Sequence, residues 1–481
     1  MNKKLISPSS MQNESFSLHG HVLQQQQILK DYNPNFDPLT DKILTGNENY
    51  APTYWVATAG TPPEDDGPIL TDTEADIVII GGGFTGLATA LALAEEHGAA
   101  PLVLEANRSA WGCTSRNGGQ GQNASGRLYR SQWIQKWGLD TAKQLDAEIR
   151  DGFEYFKSLA SSIDCDAQDK GHLYTAHRRK KIPFLENEAK VMKNVFGYNT
   201  RMLSQQALQE EFVNDQEAVG ALFEPEGVGV HPLKLAFGYL KRARAAGAKV
   251  HTSSPVLDWE TRNGVHYLRT PQGIVKAKRV AVATGGYTPN GLHQSLTGKI
   301  MPILSNSIVT RPLTAQELKD AGLHSTTFIT DTRTLRHYYR LLPDGSVQCG
   351  SRSALTGADA HNPIHLERLK EGLYRKFPSL RGIPIAYSWW GWVDVSHDMM
   401  PRIVQPNPDE TIYYAIGYGG NGVSFSAMAG KRLAERVMGI QRKQFDLPIY
   451  RTALPSHLFS PFRRMGQALL YRWYYLQDEI L

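Results

Sequence analysis

The most apolar stretch of the chain covers residues 77–94, which read IVIIGGGFTGLATALALA and include no charged residue. Its 18 positions reach the lower limit for a membrane-spanning helix. The first residues, however, form a β-branched run typical of a buried strand, and those after the glycines are rich in Ala and Leu, which favour a helix ending at Gly98. A second apolar run, PLVLEA, follows at 101–106. The pattern therefore predicts strand, glycine turn, helix and strand, and not a membrane span.

The glycine turn in this unit has the spacing G-x-G-x-x-G, formed by Gly81, Gly83 and Gly86. In dinucleotide sites the first glycine permits the tight turn, the second lets the backbone approach a pyrophosphate, and the third lets the helix pack closely on the strand. The phosphates lie at the helix N-terminus, where N–H groups and the dipole favour negative charge. Glu105 follows Gly86 by 19 residues, as expected of a carboxylate that binds ribose hydroxyls. The unit predicts a bound dinucleotide.

The segment after the second strand favours FAD over NAD. It reads SAWGCTSRNGGQGQ at 109–122, a loop whose backbone N–H groups can follow a long phosphate and ribityl chain. A second dinucleotide motif, which a flavin reductase using NAD(P)H needs, does not occur elsewhere in the sequence. Two later apolar runs, at 279–289 and 411–439, also end in glycines. Three such junctions predict one parallel sheet whose carboxyl ends converge on one ligand.

Composition narrows the function further. The 481 residues suffice for two or three domains, and 52 basic residues against 47 acidic ones give a net charge of +5. Because no dense basic run occurs, we expect no nucleic-acid partner, although an anionic substrate or cofactor is favoured. Cys113, Cys165 and Cys349 lie far apart, which predicts no disulfide framework and no metal site and fits the cytoplasm. The N-terminus lacks the apolar core of a secretory signal.

The two ends of the chain differ from the rest. Residues 1–50 are a polar N-terminal arm, either loosely ordered or packed on the body, with a short helix expected around 21–32. Residues 446–481 predict a C-terminal helical extension that begins at Ser460 and Pro461. We expect its apolar and aromatic face to dock on the protein, with binding to a membrane surface as the alternative because arginines intersperse the aromatic residues.

Six longer motifs are spread over about residues 50–480: YAPTYWVATA, GGGFTGLATALALAE, TSRNGGQ, HYYRLLPDGSVQCGSR, FPSLRGIPIAYSWWGWVDVSHDMMPRI and GYGGNGVSFSAMAG. Together they resemble the D-amino-acid oxidase-like flavoprotein superfamily, which includes glycine oxidase and sarcosine oxidase, and within it the gamma-glutamylputrescine oxidase branch. The resemblance implies an α/β fold (α+β overall), in which a Rossmann-like FAD-binding domain is joined by a second, antiparallel-sheet substrate domain. The FAD domain is expected at 70–160, 226–300 and 390–445, and the substrate domain at 161–225 and 301–389.

The predicted cofactor contacts lie in the glycine turn, after the second strand, in the following loop and at the two later junctions. Val256 is added through the resemblance, which places its backbone against the adenine. The full set is Gly81, Gly83, Phe84, Thr85, Gly86, Glu105, Ala106, Ser115, Arg116, Asn117, Gly118, Gly119, Gln120, Val256, Thr284, Gly285, Gly419, Gly420, Asn421, Gly422 and Val423. For Arg116 a cofactor phosphate is favoured over a substrate carboxylate.

The candidate catalytic residues are Tyr339, Trp390, Asp394 and His397. The two aromatic residues would face the flavin and orient an amine, although alternate residues of a strand equally serve as core. Asp394 or His397 would take the ammonium proton, with a capped turn or a solvated loop as the plainer interpretation.

The sequence thus predicts an FAD-dependent oxidase of a small-molecule amine, gamma-glutamylputrescine-like or a related primary or secondary amine, with O2 as acceptor. One alternative keeps the fold but passes electrons to a quinone or carrier protein, and another is a flavin-binding protein with a mainly binding role. Relatives that tether flavin use a histidine in the loop after the second strand or a cysteine near the substrate strand. Arg116 occupies the first position and no cysteine lies at the second, which predicts non-covalent FAD, with Cys349 as the first suspect otherwise.

Overall fold

The computed structural model describes residues 29–456 and 460–480. Within these ranges the chain forms two eight-stranded sheets, one three-stranded sheet and a set of flanking helices. No helix of the described part is both long enough and apolar enough to cross a bilayer.

The first sheet is built around the strand predicted at the apolar stretch. Its central strands run parallel, and a hairpin and a short antiparallel strand complete it. Its strands, in spatial order, are Asp258–Arg262, Val265–Arg269, Ile274–Val282, Thr73–Ile80, Leu102–Leu104 and Lys249–His251, with Ile412–Ile416 beside the end of Ile274–Val282 and Arg402–Val404 beyond it. Side-chain alternation sends Ile77 and Ile79 to one core and Val78 and Ile80 to another, so both faces are buried.

The second sheet carries the segment expected to cover the cofactor. Its strands, in spatial order, are Ile385–Ser396, Ile300–Thr310, Val347–Ser351, Tyr338–Leu341, Phe328–Asp331, His172–Thr175, Gly220–Glu224 and Arg201–Ser204. All neighbours are antiparallel except Phe328–Asp331 and His172–Thr175, which pair in parallel. Strand Ile385–Ser396 runs across the expected domain boundary at residue 390 and reaches the first domain's segments.

A small antiparallel sheet and the helices fill the remaining layers. The small sheet joins Gln120–Gln122, Gly227–Gly229 and Gln168–Asp169. The α-helices are Tyr54–Thr58, Phe84–His97, Arg130–Trp137, Leu139–Ser162, Ile182–Phe196, Gln205–Glu211, Pro232–Ala245, Ala315–Asp320, Pro363–Lys376, Gly422–Val437, Pro448–Arg451 and Arg463–Tyr475. Helices Phe84–His97, Pro232–Ala245 and Gly422–Val437 pack together over one face of the first sheet.

Both ends of the described chain pack against the body. In the arm, the helix expected around 21–32 falls almost entirely outside the described residues. Phe36 is buried, and Lys30 forms an isolated parallel β-bridge with Glu48. At the other end the α-helix begins at Arg463, one turn later than predicted, after a 3₁₀ turn at Ser460–Phe462. The expected docking of its apolar face is not found, because Met465, Leu469 and Trp473 are exposed. Arg463 and Arg464 instead attach the helix to the body by donating hydrogen bonds to the carbonyl oxygens of Ile300 and Pro302.

Candidate active site

A cavity of about 250 Å³ lies where the carboxyl ends of the first sheet meet the second sheet. Strands Thr73–Ile80, Leu102–Leu104 and Ile274–Val282 each lead directly into lining residues, namely Gly81, Glu105 and Ala283. Helix Gly422–Val437 starts at the same cavity, as the third glycine junction predicts. The three junctions therefore meet at one cavity, as the parallel sheet predicts.

The glycine turn is shaped by backbone constraints. Gly81 has φ of +106°, and a Cβ added there would lie 2.7 Å from the Ala283 carbonyl oxygen, so only glycine fits. Gly83 is the N-cap of helix Phe84–His97 and provides no side-chain cap. The first turn of this helix lines the cavity, which gives an anion the N–H groups and the positive dipole end.

Glu105 lies beside the glycine turn, at the end of the second strand. Its Oε2 accepts a hydrogen bond from the Gly82 amide (2.6 Å) and its Oε1 one from the Asn107 amide (3.0 Å). The side chain is buried, and burial raises its pKa above the ordinary value. Ala106, Pro255 and Val256 line the same end of the cavity, as expected of an adenosine site.

We expect the Glu105→Ala protein to lose FAD during purification. The substitution removes an acceptor for two backbone amides as well as the predicted ribose contact, and a hydrogen bond to a charged group contributes about 1.5–3 kcal/mol. Glu105→Gln keeps an acceptor and should retain more FAD. Equilibrium titration of the apoprotein with FAD measures the effect, and wild-type affinity in the alanine variant would contradict the assignment.

Most residues of the loop at 109–122 line one wall of the cavity. Asn117, Gly118 and Gln120 line it, and the Thr114 hydroxyl accepts a hydrogen bond from the Phe84 amide (3.0 Å). The predicted contacts Ser115 and Gly119 do not line the cavity. The Ser115 hydroxyl turns inward to the Trp111 carbonyl oxygen (2.8 Å), and Gly119 packs against the Val230 carbonyl and Arg340, where a Cβ would clash.

Arg116 lines the cavity from an aromatic enclosure. Its guanidinium lies 4.2 Å from the ring centre of Trp111 and 5.0 Å from that of Tyr287, and it donates a 2.6 Å hydrogen bond to the Tyr287 hydroxyl. Tyr32 of the arm closes the third side. The three aromatic residues contact the guanidinium through their rings and hydroxyl groups and carry no negative charge. Binding of a cofactor phosphate by Arg116 stays a prediction.

Asp394 ties the second sheet to the glycine junction at 417–422. Its Oδ2 accepts a hydrogen bond from the Gly417 amide (2.5 Å), and its carbonyl oxygen accepts one from the Gly419 amide (2.8 Å). Burial raises the pKa of the carboxyl group. Asp394 also lines the cavity together with Gly420 and Val423, whereas Gly419 packs against Arg127 instead.

The tyrosine pair on strand Tyr338–Leu341 is divided between two environments. Tyr338 lines the cavity and shares hydrogen bonds with the hydroxyls of Ser305 and Ser307, both 2.9 Å. Tyr339 points to the opposite side, where its hydroxyl donates to Asp215 (2.5 Å) in a buried core. The period of two along the strand thus gives the cavity position to Tyr338, and not to the predicted Tyr339.

Two further catalytic candidates also lie away from the cavity lining. Trp390 packs edge-on against His361, with its ring N–H 3.4 Å from the Pro34 carbonyl oxygen. His397 lies beyond the end of the same strand, with Nε2 3.2 Å from the Gly298 carbonyl oxygen. Trp390 therefore makes packing contacts within the strand and His397 a contact in the turn that follows it, which are the plainer interpretations of these two residues.

The lining residues that the sequence prediction missed include three arginines, Arg127, Arg336 and Arg352. They come from a loop, a strand connection and the end of a strand that are far apart in the chain. One signal was present, because Arg336 and Tyr338 share the spacing of two in RHYYR. The alternation that selects Tyr338 would also have selected Arg336.

The residues around the cavity fit FAD. The helix N-terminus that begins after Gly83 suits a pyrophosphate, the buried carboxylate beside it suits a ribose, and the extended loop suits the chain that leads to the ring. Most of the predicted cofactor residues line this one cavity. Of the others, Gly86 lies behind the turn, as a helix-packing glycine should. The fold and the site define a flavoprotein of the dinucleotide-binding class.

The chain belongs to the family described as FAD dependent oxidoreductase, abbreviated DAO, whose model matches residues 76–436. It is 32% identical over 413 residues to gamma-glutamylputrescine oxidoreductase of Escherichia coli K12, covering 84% of this chain and 93% of that protein. It is 31% identical to the probable oxidoreductase OrdL of Haemophilus influenzae, covering 77% and 85%. Glycine oxidase from Geobacillus kaustophilus shares the fold, with a TM-score of 0.66 at 18% identity over 80% of this chain and 100% of that chain. The protein is an oxidoreductase, and its cofactor is FAD.

Proposed function

We propose that the protein is an FAD-dependent oxidase of a small-molecule amine, gamma-glutamylputrescine-like or a related primary or secondary amine. The observation that carries this proposal is the cavity itself, which joins the FAD-binding turn to hydroxyl groups of the second sheet. Similarity to a gamma-glutamylputrescine oxidoreductase supports an amine donor. Membership of an oxidoreductase family favours catalysis over a mainly binding role, and three free thiols support a cytoplasmic location.

The overall reaction balances with one molecule of O2. Bound FAD supplies a two-electron acceptor for the hydride that leaves the carbon next to nitrogen. The nitrogen loses a proton, and the resulting imine adds water to give a carbonyl compound and a released amine. The two electrons, with two protons, convert O2 to hydrogen peroxide.

The protein's own groups contribute orientation and electrostatics. The hydroxyls of Ser305, Thr330 and Tyr338 line the substrate side and can position a polar donor. Helix Gly422–Val437 begins at the cavity without a side-chain cap, so its positive end favours negative charge that develops there.

An anaerobic titration tests the proposed donor. The purified holoprotein is mixed with acylated polyamines, N-methyl amino acids and simple amines, and the flavin absorbance is followed. An amine donor should bleach it, and admission of air should restore it with one peroxide per turnover. If no amine bleaches the flavin, the proposal fails.

A dehydrogenase that passes electrons to a quinone or a carrier protein is the second candidate. The exposed apolar residues of helix Arg463–Tyr475, including Met465, Leu469 and Trp473, favour it because such a face suits a membrane surface or a partner. The amine-bleached protein should then reoxidise slowly in air and rapidly with a soluble quinone. Rapid recovery in air alone would favour the oxidase.

The FAD is expected to be non-covalent. Cys349 lies in the buried core behind the second sheet and does not line the cavity, so Cys113 becomes the cysteine to consider first. Burial and the nearby Asp394 raise the pKa of the Cys113 thiol to about 12, which leaves almost no nucleophilic thiolate near neutral pH. Acid precipitation should give a colourless pellet and a yellow supernatant. A yellow pellet and an intact mass increased by one FAD would contradict this prediction.

A further inference from the structure

A carboxylate, an imidazole and a hydroxyl group form a hydrogen-bonded chain that ends at the cavity. Nδ1 of His172 lies 2.9 Å from Oε2 of Glu224, and its Nε2 lies 2.7 Å from the Thr330 hydroxyl oxygen. Thr330 lines the main cavity, and all three residues line an adjoining cavity of about 70 Å³. These three residues, Glu224, His172 and Thr330, form the relay. Two hydrogen bonds thus connect its carboxylate to a hydroxyl group at the main cavity.

The register of the second sheet brings the relay to one face. His172 lies directly opposite Glu224 on the neighbouring strand. Thr330 lies directly opposite Tyr338, which lines the main cavity. The residues that follow or precede them in the chain lie in the core on the other face, namely Leu173, Ile329 and Tyr339. The alternation that selects Tyr338 therefore also brings His172 and Thr330 to the cavity side.

Glu224 sets the hydrogen-bonding roles within the relay. Burial opposes ionisation of this carboxyl group, but the contacts with His172 and the charge of Arg130 lower its pKa, so it is a carboxylate at neutral pH. A carboxylate only accepts hydrogen bonds, so Nδ1 of the imidazole carries the proton and donates it. Nε2 of the neutral imidazole is then an acceptor, and the Thr330 hydroxyl donates to it. The lone pairs of that hydroxyl oxygen remain available to a group in the cavity.

The charge around the cavity disfavours an ammonium group. Burial and the charges of Arg352 and Arg336 lower the pKa of Arg127 well below its ordinary value, and all three arginines line the cavity. The same repulsion raises the free energy of a further cation, including a protonated amine donor. An amine can release the hydride next to its nitrogen only when the nitrogen lone pair is free. The cavity therefore favours deprotonation of the donor if a nearby group accepts the proton.

We propose that the relay takes up the proton that the donor's nitrogen loses. The N–H bond of the ammonium group breaks as its proton moves to the Thr330 oxygen, while the hydroxyl proton moves to Nε2 of His172. The Glu224 carboxylate stabilises the imidazolium that forms, and this proton is one of the two that peroxide formation consumes. Thr330 is thus a catalytic residue, and His172 and Glu224 are positioning residues that act through it. The inference rests on the proposed function and adds to it the group that accepts the proton.

A second set of the same three chemical groups lies away from the cavity and provides a matched control. His365 is buried, with its Nδ1 2.8 Å from the Ser353 hydroxyl oxygen and its Nε2 3.2 Å from Asp359. These three residues do not line the cavity. Loss of the His365 imidazole therefore measures the purely structural effect of removing a buried histidine that has a carboxylate and a hydroxyl beside it.

The rate of anaerobic bleaching by an amine donor tests the relay on the holoprotein. Thr330→Val keeps the shape of the side chain but removes the hydroxyl, and it should lower the rate at neutral pH about a hundredfold or more. His172→Gln and Glu224→Gln should also slow bleaching, whereas Thr330→Ser keeps the hydroxyl and should lose much less. His365→Gln should bleach like the wild type. Wild-type rates in Thr330→Val and His172→Gln would overturn the relay and leave Asp394 as the proton acceptor.

The pH profile at saturating donor separates proton transfer from a packing defect. A variant without the relay can oxidise only the neutral amine, so below the pKa of the amine its rate should rise about tenfold for each pH unit and approach that of the wild type. A rate lowered by the same factor at every pH would overturn the proposal. These variants leave in place the other charged and titratable groups that line the adjoining cavity or lie near Glu224, namely Arg127, Arg130, Tyr174, Glu188, Glu226 and Arg336.

The tautomer of His172 gives a test that needs no oxidation. In nitrogen NMR of holoprotein with isotope-labelled histidine, the His172 signals are identified by their absence from His172→Gln. Nδ1 should carry the proton at neutral pH and Nε2 should not, and the opposite tautomer would overturn the relay. Bleaching that is equally fast in the wild type and in the relay variants would reject the relay alone. If no amine bleaches the wild-type protein, the proposed function fails, and the role of the relay fails with it.

Discussion

The Gly86→Ala protein is expected to retain almost no FAD. A Cβ added at Gly86 would lie 1.8 Å from the Gly81 carbonyl oxygen, far inside van der Waals contact, and the obstructing atom is backbone. The helix must therefore move away from strand Thr73–Ile80, which carries its N-terminus away from the phosphate position. Overpacking of this kind costs about 3 kcal/mol. Because each 1.4 kcal/mol is a factor of ten, the affinity for FAD should fall about a hundredfold or more.

Titration of the apoprotein with FAD, read by flavin fluorescence, measures this loss. The matched control is Gly466→Ala in helix Arg463–Tyr475, where an added Cβ meets no atom within 4 Å. Alanine at an exposed helix position should leave FAD affinity unchanged and stabilise the helix by about 0.5–1 kcal/mol. Wild-type FAD affinity in the Gly86→Ala protein would show that the helix does not need its close packing to hold the cofactor.

The FAD-binding half of the fold is predictable from sequence because its signals are local. The strand, turn and helix from Thr73 to Gly98 lie within one continuous stretch, and the positive φ of Gly98 (+61°) ends the helix where the pattern indicates. The later glycine junctions repeat the same chemistry. Their convergence follows from the parallel sheet, so no long-range information beyond the sheet rule was needed.

The substrate side is less predictable because it depends on which face of a strand looks into the cavity. Tyr338 and Tyr339 are adjacent and chemically alike, and only the register of the second sheet sends one to the cavity and the other to Asp215. A shift of one residue exchanges the two. The cavity arginines Arg127, Arg336 and Arg352 come from three distant segments of the chain, so no single sequence motif predicts that they lie together. Their most accessible signal was the alternation of Arg336 with Tyr338.

Tyr339 belongs to a buried charge network centred on Lys376. The lysine is 1% exposed, and its Nζ lies 3.4 Å from Asp215, 3.3 Å from Glu217 and 3.4 Å from Asp331. Asp331 and Glu217 also pair with Arg333, a second cation. The other side-chain hydrogen bonds to Asp215 among the described residues come from uncharged donors, the Tyr339 hydroxyl and the Glu217 backbone amide. Lys376 is therefore the cation on which Asp215 depends.

We expect Lys376→Met to destabilise the protein by about 3–5 kcal/mol near neutral pH, because it leaves a buried carboxylate without a counter-charge. The matched control is Lys370→Met on the same helix. Lys370 is 28% exposed and pairs with Glu367 in an i, i+3 contact, so its loss should cost less than about 1 kcal/mol. Urea midpoints of the two holoproteins give the comparison, and similar midpoints would contradict the role assigned to Lys376.

The pH dependence of this difference separates lost charge pairing from lost packing. In the wild-type protein burial opposes ionisation of Glu217, but Lys376, Arg333 and Arg375 outweigh it and lower its pKa to about 2. A lowered pKa stabilises the fold above the unfolded pKa, near 4.3, and this contribution is lost as the pH falls towards 2. Against the effect of burial, Lys376 lowers the pKa of Glu217 and Asp331, so both pKa values should rise in the variant. Protonation at lower pH then removes unpaired buried charge from the variant, whereas in the wild-type protein it removes stabilising ion pairs. The gap in urea midpoint between wild type and Lys376→Met should therefore narrow from pH 7 to pH 4, and a constant gap would indicate a packing defect alone.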